Sequence, residues 1–220
     1  MTLFLITWKI FDDKRDACMT YFGSMSKEDD DKETDGVELL GRWSDIGTGA
    51  GAAICRADKY VNVASWIYNW VPMANCSIKP ICDDNIARKI LLNKKPKYTV
   101  DYSQVSREPL EGETFYMITY KFHEQHKLKG YKTFARLSEK QDKLDCGSCI
   151  PVGRWHDIGS GSGIAIAGAK SEAHIYEWAS HWTGICDCSI VPVLTDTQCR
   201  LVISSKPDFD KKLSELTANN

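Results

Sequence analysis

No stretch of this chain is apolar for long enough to cross a bilayer; its longest hydrophobic runs are the length of strands. It has no block of lysine or arginine, and its net charge is −2. The electrostatic footprint of a nucleic-acid binder is therefore missing, and no nucleic-acid partner is expected. Residues 1–6 have no basic flank, and Trp8-Lys9 stands where a cleavage site would fall, so this segment reads as a strand and not as an export signal. Without export, the nine cysteines read as reduced thiols, not as a disulfide framework. The expected compartment is the cytoplasm, or an organelle lumen if an import sequence has been removed. The densest charge run, Glu28-Asp29-Asp30-Asp31, reads as a solvated loop. Hydrophobic residues at 43% and charged residues at 26% are ordinary for a globular protein.

What the chain does have is a repetition. Gly41-Arg42-Trp43-Ser44-Asp45-Ile46-Gly47 returns as Gly153-Arg154-Trp155-His156-Asp157-Ile158-Gly159, displaced by 112 residues. The same displacement aligns residues 2–94 with 114–206 without a gap, with about 27 identities. Trp66 falls on Trp178, Trp70 on Trp182, and Cys76-Ser77-Ile78 on Cys188-Ser189-Ile190. A fixed register of this length means two copies of one structural unit. The expected division is repeat 1 over 1–94, a linker over 95–112, repeat 2 over 113–206 and a polar C-terminal tail over 207–220.

Each copy reads as strand, helix, strand, Gly-rich turn, strand, helix, strand and a short terminal helix. This βαββαβ order is the ferredoxin-like unit. Both faces of the first strand are apolar, with Leu3 and Leu5 on one and Phe4, Ile6 and Trp8 on the other. The bare sheet face therefore needs a cover, which a second copy supplies. The expected class is α+β: two ferredoxin-like repeats forming an intrachain pseudo-dimeric α/β barrel, as a monomer or as a subunit of an assembly.

The run Val152-Gly153-Arg154-Trp155-His156-Asp157, the helix Tyr176-Glu177-Trp178 with Trp182, and Val191-Pro192-Val193 resemble an uncharacterised domain-of-unknown-function family of the dimeric α/β-barrel superfamily. The resemblance implies the fold. It implies no activity, since the superfamily spans monooxygenases, isomerases, cyclases, heme enzymes and stress proteins. The first copy departs from the pattern by carrying Ser44 where the second has His156.

Arg42 and Arg154 share a strand face with apolar neighbours. A buried guanidinium there either meets an anionic ligand or pairs with structural carboxylates. His156 lies on the face of Arg154 and suits general acid–base work. Trp66, Trp70, Trp178 and Trp182 form i, i+4 pairs that either fill the core or wall a pocket against the small residues of the third strand. The glycine turn precedes a strand and not a helix, which argues against phosphate binding. Cys146-Gly147-Ser148-Cys149 and Cys186-Asp187-Cys188 fall on opposite sheet edges, more than about 10 Å apart at about 4.8 Å per strand, so no metal site and no cofactor is expected from them. Heme would require a histidine facing a roomy apolar pocket.

These residues favour a small-molecule-binding protein. It would be a cofactor-independent enzyme acting on an apolar or aromatic acid, with His156 and Arg154 as catalytic candidates and Arg42, Trp66, Trp70, Trp178 and Trp182 as ligand-binding ones. The alternative is a non-catalytic interaction or assembly subunit. A cavity on which Arg154 and His156 converge separates the two.

Overall fold

The computed structural model describes residues 1–218. The chain divides into two compact units: residues 1–79 with 193 onward form unit 1, and residues 80–192 form unit 2. Unit 1 contains β1 (Thr2–Ile10), α1 (Arg15–Ser24), α2 (Lys27–Glu33), β2 (Glu38–Asp45), β3 (Ala50–Ala57), α3 (Tyr60–Tyr68) and the first part of β4 (Ala74–Asp83). Unit 2 contains the end of β4, then α4 (Asp84–Leu92), β5 (Thr114–Phe122), α5 (Lys127–Arg136), α6 (Glu139–Cys146), β6 (Ile150–Asp157), β7 (Ser162–Ala169), α7 (Glu172–Ser180) and most of β8 (Cys186–Thr195). The last residues of β8, with α8 (Asp196–Ser204) and α9 (Phe209–Ala218), belong to unit 1. Among the described residues no helix is long and apolar enough to cross a membrane.

Both units use one register. In unit 1 the strand order is β1-β3-β2-β8, with Leu5 opposite Ile54 and Arg42 opposite Ala53. In unit 2 it is β5-β7-β6-β4, with Met117 opposite Ile166 and Arg154 opposite Ala165. The repeated glycine-rich stretch is a hairpin in both. Asp45 accepts from the Thr48 amide at 3.2 Å and Asp157 from the Ser160 amide at 3.1 Å, so each aspartate caps its own turn.

The glycine of Gly-Arg-Trp answers to packing. The pairing shifts between Leu39 and Gly41 and between Pro151 and Gly153. There the indoles of Trp43 and Trp155 fold back over the glycines two residues before them. A Cβ at Gly41 would lie 2.4 Å from the Trp43 ring, and one at Gly153 2.3 Å from the Trp155 ring. Both tryptophans are buried, so neither ring can yield.

One expectation is corrected. The acidic run is a helix, α2, opened by a capping box between Ser26 and Asp29; Asp30 turns inward from it. The polar tail is also largely helical. Phe209 of α9 packs with Phe22, Met25, Cys199 and Ile203, and Lys212 reaches Asp16 on α1 at 2.9 Å. One aromatic at its start outweighs its polar composition. The end of that tail, residues 219–220, lies outside the described residues.

Replacing Gly153 with alanine is expected to cost about 1–3 kcal/mol of stability through overpacking against Trp155, measured by urea unfolding. A variant as stable as the parent would show that the ring has room to move.

Candidate functional site

Strand β6 carries Arg154 and His156 on one face. It pairs antiparallel with the end of β4, Cys82 opposite His156 and Asp83 opposite Trp155. One step further along that register stands Asp84, the first residue of α4, whose amino end is capped by Asp83 accepting from the Ile86 amide. The register therefore delivers a carboxylate to Arg154. Nε of Arg154 donates to Asp84 at 3.0 Å, and Nη1 and Nη2 donate to Asp142 of α6 at 2.9 and 2.7 Å. Arg88 of α4 lies 4.4 Å over the Phe134 ring, donates to the Phe134 and Leu137 carbonyls at 3.0 Å, and stands 3.6 Å from Asp142. The segment expected to be a bare linker contributes as well. Tyr98 donates to Asp142, while Tyr102 accepts from the Asp84 amide and donates to the Arg154 carbonyl.

Unit 1 repeats the core of this network. Trp43 pairs with Thr195, so α8 opens with Asp196 beside Arg42. Arg42 donates to Asp196 at 2.8 Å and to Asp30 at 2.6 Å. Arg200 donates to the Phe22 and Met25 carbonyls at 2.7 Å, with its guanidinium 4.2 Å over Phe22. These are the residues of unit 2 displaced by 112. The charges of Arg42 and Arg154 are thus satisfied by the protein's own carboxylates. Of the two alternatives for a buried guanidinium, this is pairing with structural carboxylates.

His156 is buried and has a partner on each ring nitrogen: Nε2 lies 2.6 Å from Asp84 and Nδ1 2.6 Å from the Tyr120 hydroxyl. Burial opposes ionisation of Asp84, but the charge of Arg154 and hydrogen bonding from His156 and Arg154 outweigh it, bringing its pKa to about 2. An ionised Asp84 accepts, so Nε2 of His156 carries a proton towards it. Nδ1 shares a hydrogen bond with the hydroxyl of Tyr120, whose pKa burial pushes well above 10. In unit 1 the corresponding positions are Ser44 and Trp8, and the pair does not exist.

Each unit has a mainly apolar, partly open cavity beside its clamp, about 80 Å³ in unit 2 and about 70 Å³ in unit 1. Arg154, His156, Tyr120, Trp178 and Trp182 line the first, and Arg42, Ser44, Trp8, Trp66 and Trp70 the second. All seven residues singled out from the sequence thus lie at one cavity or the other. The Trp178 and Trp182 indoles both donate to Asp145, at 3.0 and 2.9 Å, which fixes that wall. No group of three or more His, Cys, Asp or Glu side chains that could hold a metal ion occurs among the described residues. Sequence reasoning missed Asp30, Asp84, Asp142, Asp196, Arg88, Arg200 and Tyr120. All but Tyr120 are identical between the copies, and that identity was the available signal.

Because Asp84 ionises more readily in the fold than its ordinary value of 3.8, its contribution to stability is full above about pH 4 and is lost as pH falls towards 2. Urea unfolding across that range is expected to lose about 2 kcal/mol through this one group. Asp84→Asn should flatten this part of the profile; an unchanged pH profile would refute the assignment.

Solved structures resemble this chain in fold. A DypB variant in complex with manganese is 9% identical, with a TM-score of 0.52 over 93% of this chain and 95% of its own. Two Rhodococcus jostii RHA1 DypB variants in complex with heme are 8% and 10% identical, each with a TM-score of 0.50 over 90% of this chain and 95% and 94% of theirs. The fold class is the α+β, ferredoxin-like dimeric α/β-barrel class, in two tandem copies. No curated protein sequence matches. The model of one family, described as a domain of unknown function (DUF3303), matches residues 2–95 and again 114–206, and the chain accordingly belongs to the DUF3303 family as a tandem duplicate.

Proposed function

We propose that this is a small-molecule-binding protein whose unit 2 cavity performs cofactor-independent proton transfer on a small, neutral, largely apolar substrate. The observation carrying this reading is the series Asp84–His156–Tyr120, linked by two 2.6 Å hydrogen bonds at the wall of an apolar cavity. With the Tyr120 proton directed at Nδ1, a lone pair of its oxygen is available to a substrate. As Tyr120 takes a proton from an acidic C–H or O–H, its own proton passes to Nδ1. The resulting imidazolium is stabilised by Asp84. Reversal returns the proton at the same or a neighbouring atom, which is isomerisation or exchange. Tyr120 is the catalytic residue in this scheme, and His156 and Asp84 position and charge it.

The clamp narrows the substrate class. Arg154 already holds two carboxylates, so an acid has no free cation to meet, and the expected aromatic acid gives way to a neutral molecule. A cavity of about 80 Å³ is roughly half the size of apolar cavities known to take benzene, which favours a substrate of few atoms. Heme, present in neighbours of this fold, does not fit these residues. The cavity is too small, and neither nitrogen of His156 is available to iron.

Acetone serves as probe. Its methyl-proton exchange in D₂O, followed by NMR, is expected to be accelerated by the protein and to slow about 100-fold in both Tyr120→Phe and His156→Gln. Exchange equal in the parent and both variants would remove the proton-transfer reading.

A further inference from the structure

Beyond the proton-transfer series, the unit 2 cavity holds a pair of thiols. Cys186 and Cys188 sit two apart on β8, which puts both side chains on one face. Their sulfurs are 3.7 Å apart, in hydrogen-bonding contact, and both line the cavity. Cys186 is buried and Cys188 half-buried, so the second is the one a solute reaches first. Aromatic groups surround them, including Phe122, Tyr131 and Trp182.

The two thiols differ in acidity. The hydrogen bond from Cys186 draws Cys188 below the ordinary thiol value, and the same bond, with burial and the neighbouring Asp187, drives Cys186 upward. By contrast, burial pushes Cys146 up to about 12 and Cys149 to about 11, which leaves that pair inert. Unit 1 has alanine at the position of Cys186, namely Ala74; its cavity carries Cys76 and, from α1, Cys18, whose thiol burial pushes up to about 12.

We propose that Cys188 and Cys186 form a two-electron redox pair that reduces a small uncharged hydroperoxide admitted to the unit 2 cavity. The size and apolar lining of the cavity exclude bulky or charged oxidants. The Cys188 thiolate attacks a peroxide oxygen. An S–O bond forms and the O–O bond breaks, and the departing alkoxide takes up the proton that Cys188 had released. Cys186 then attacks the Cys188 sulfenic acid. An S–S bond forms, and hydroxide leaves with the Cys186 proton as water. Two thiols become a disulfide, and the hydroperoxide becomes an alcohol and water. Two residues of extended strand separate the Cα atoms by about 6.7 Å, the upper end of what a disulfide spans. Such a bridge is readily reduced, and a small external thiol restores the dithiol.

This activity does not depend on proton transfer at His156, and its readout is distinct from acetone exchange. The reduced full-length protein is treated with hydrogen peroxide and, separately, methyl hydroperoxide, and the peptides are mapped by mass spectrometry. The expected result is loss of two hydrogens within the peptide carrying residues 186–188. Cys188→Ser should slow peroxide consumption about tenfold or more. Cys186→Ala, which installs the residue unit 1 already accommodates, should stop at a sulfenic acid trapped on Cys188 by dimedone, with circular dichroism verifying the fold. First oxidation at Cys146 and Cys149, or parental peroxide consumption by Cys188→Ser, would overturn the proposal.

Discussion

A guanidinium removed from water must be met by carboxylates, and in this protein the requirement is met twice by the same construction. Arg154 between Asp84 and Asp142, and Arg42 between Asp196 and Asp30, are buried charges that each take one partner from the helix just before their strand and one from a distant element. An ion pair of this kind adds little net stability over an apolar core, but removing one member leaves an uncompensated charge and costs about 3–5 kcal/mol. Its value is specificity. The last strand of one repeat has to pair with the Gly-Arg-Trp strand of the other in one register, because only that register sets the first residue of the following helix against the arginine.

On this shared frame the two units differ where chemistry would occur. Their cavities share the arginine, both tryptophans, a phenylalanine and the small strand residue beside the arginine. The polar departures are Ser44 against His156, Trp8 against Tyr120, and Ala74 against Cys186, beside apolar exchanges such as Ile10 for Phe122, Met19 for Tyr131 and Ile67 for Ala179. Unit 1 therefore serves as an internal reference: it holds its fold and clamp without the imidazole, the phenol or a thiol at the position of Cys186. None of those three groups is needed to build the frame, which supports a functional reading of each in unit 2.

The fold was legible in the sequence because period and repetition act locally. The strands, the hairpin and the two-copy order follow from alternation, glycine spacing and a fixed displacement of 112 residues. The clamp was half legible. Arg42 and Arg154 were conspicuous as charges on an apolar face, but their partners lie up to 154 residues away in sequence. Asp30 was hidden among like charges, so a run that looks solvated contains one inward residue for every helical turn that packs. Tyr120 differs from its counterpart Trp8, so a search for repeated identities passes over it. The helix in the polar tail was not legible, because composition averages a single anchoring aromatic, Phe209, into a polar background.

The division of the chain also sets an order of assembly. Unit 2 is one continuous stretch, residues 80–192, whereas unit 1 joins the beginning of the chain to its end. On a ribosome the inner unit has all its parts first. Arg42 emerges early yet waits for Asp196, 154 residues later, which at 5–20 residues per second is roughly 8–30 s. For that interval the amino-terminal segment carries a cation without its full cage. The half made first is thus the half completed last, and synthesis of the C-terminal helices is the event that closes it.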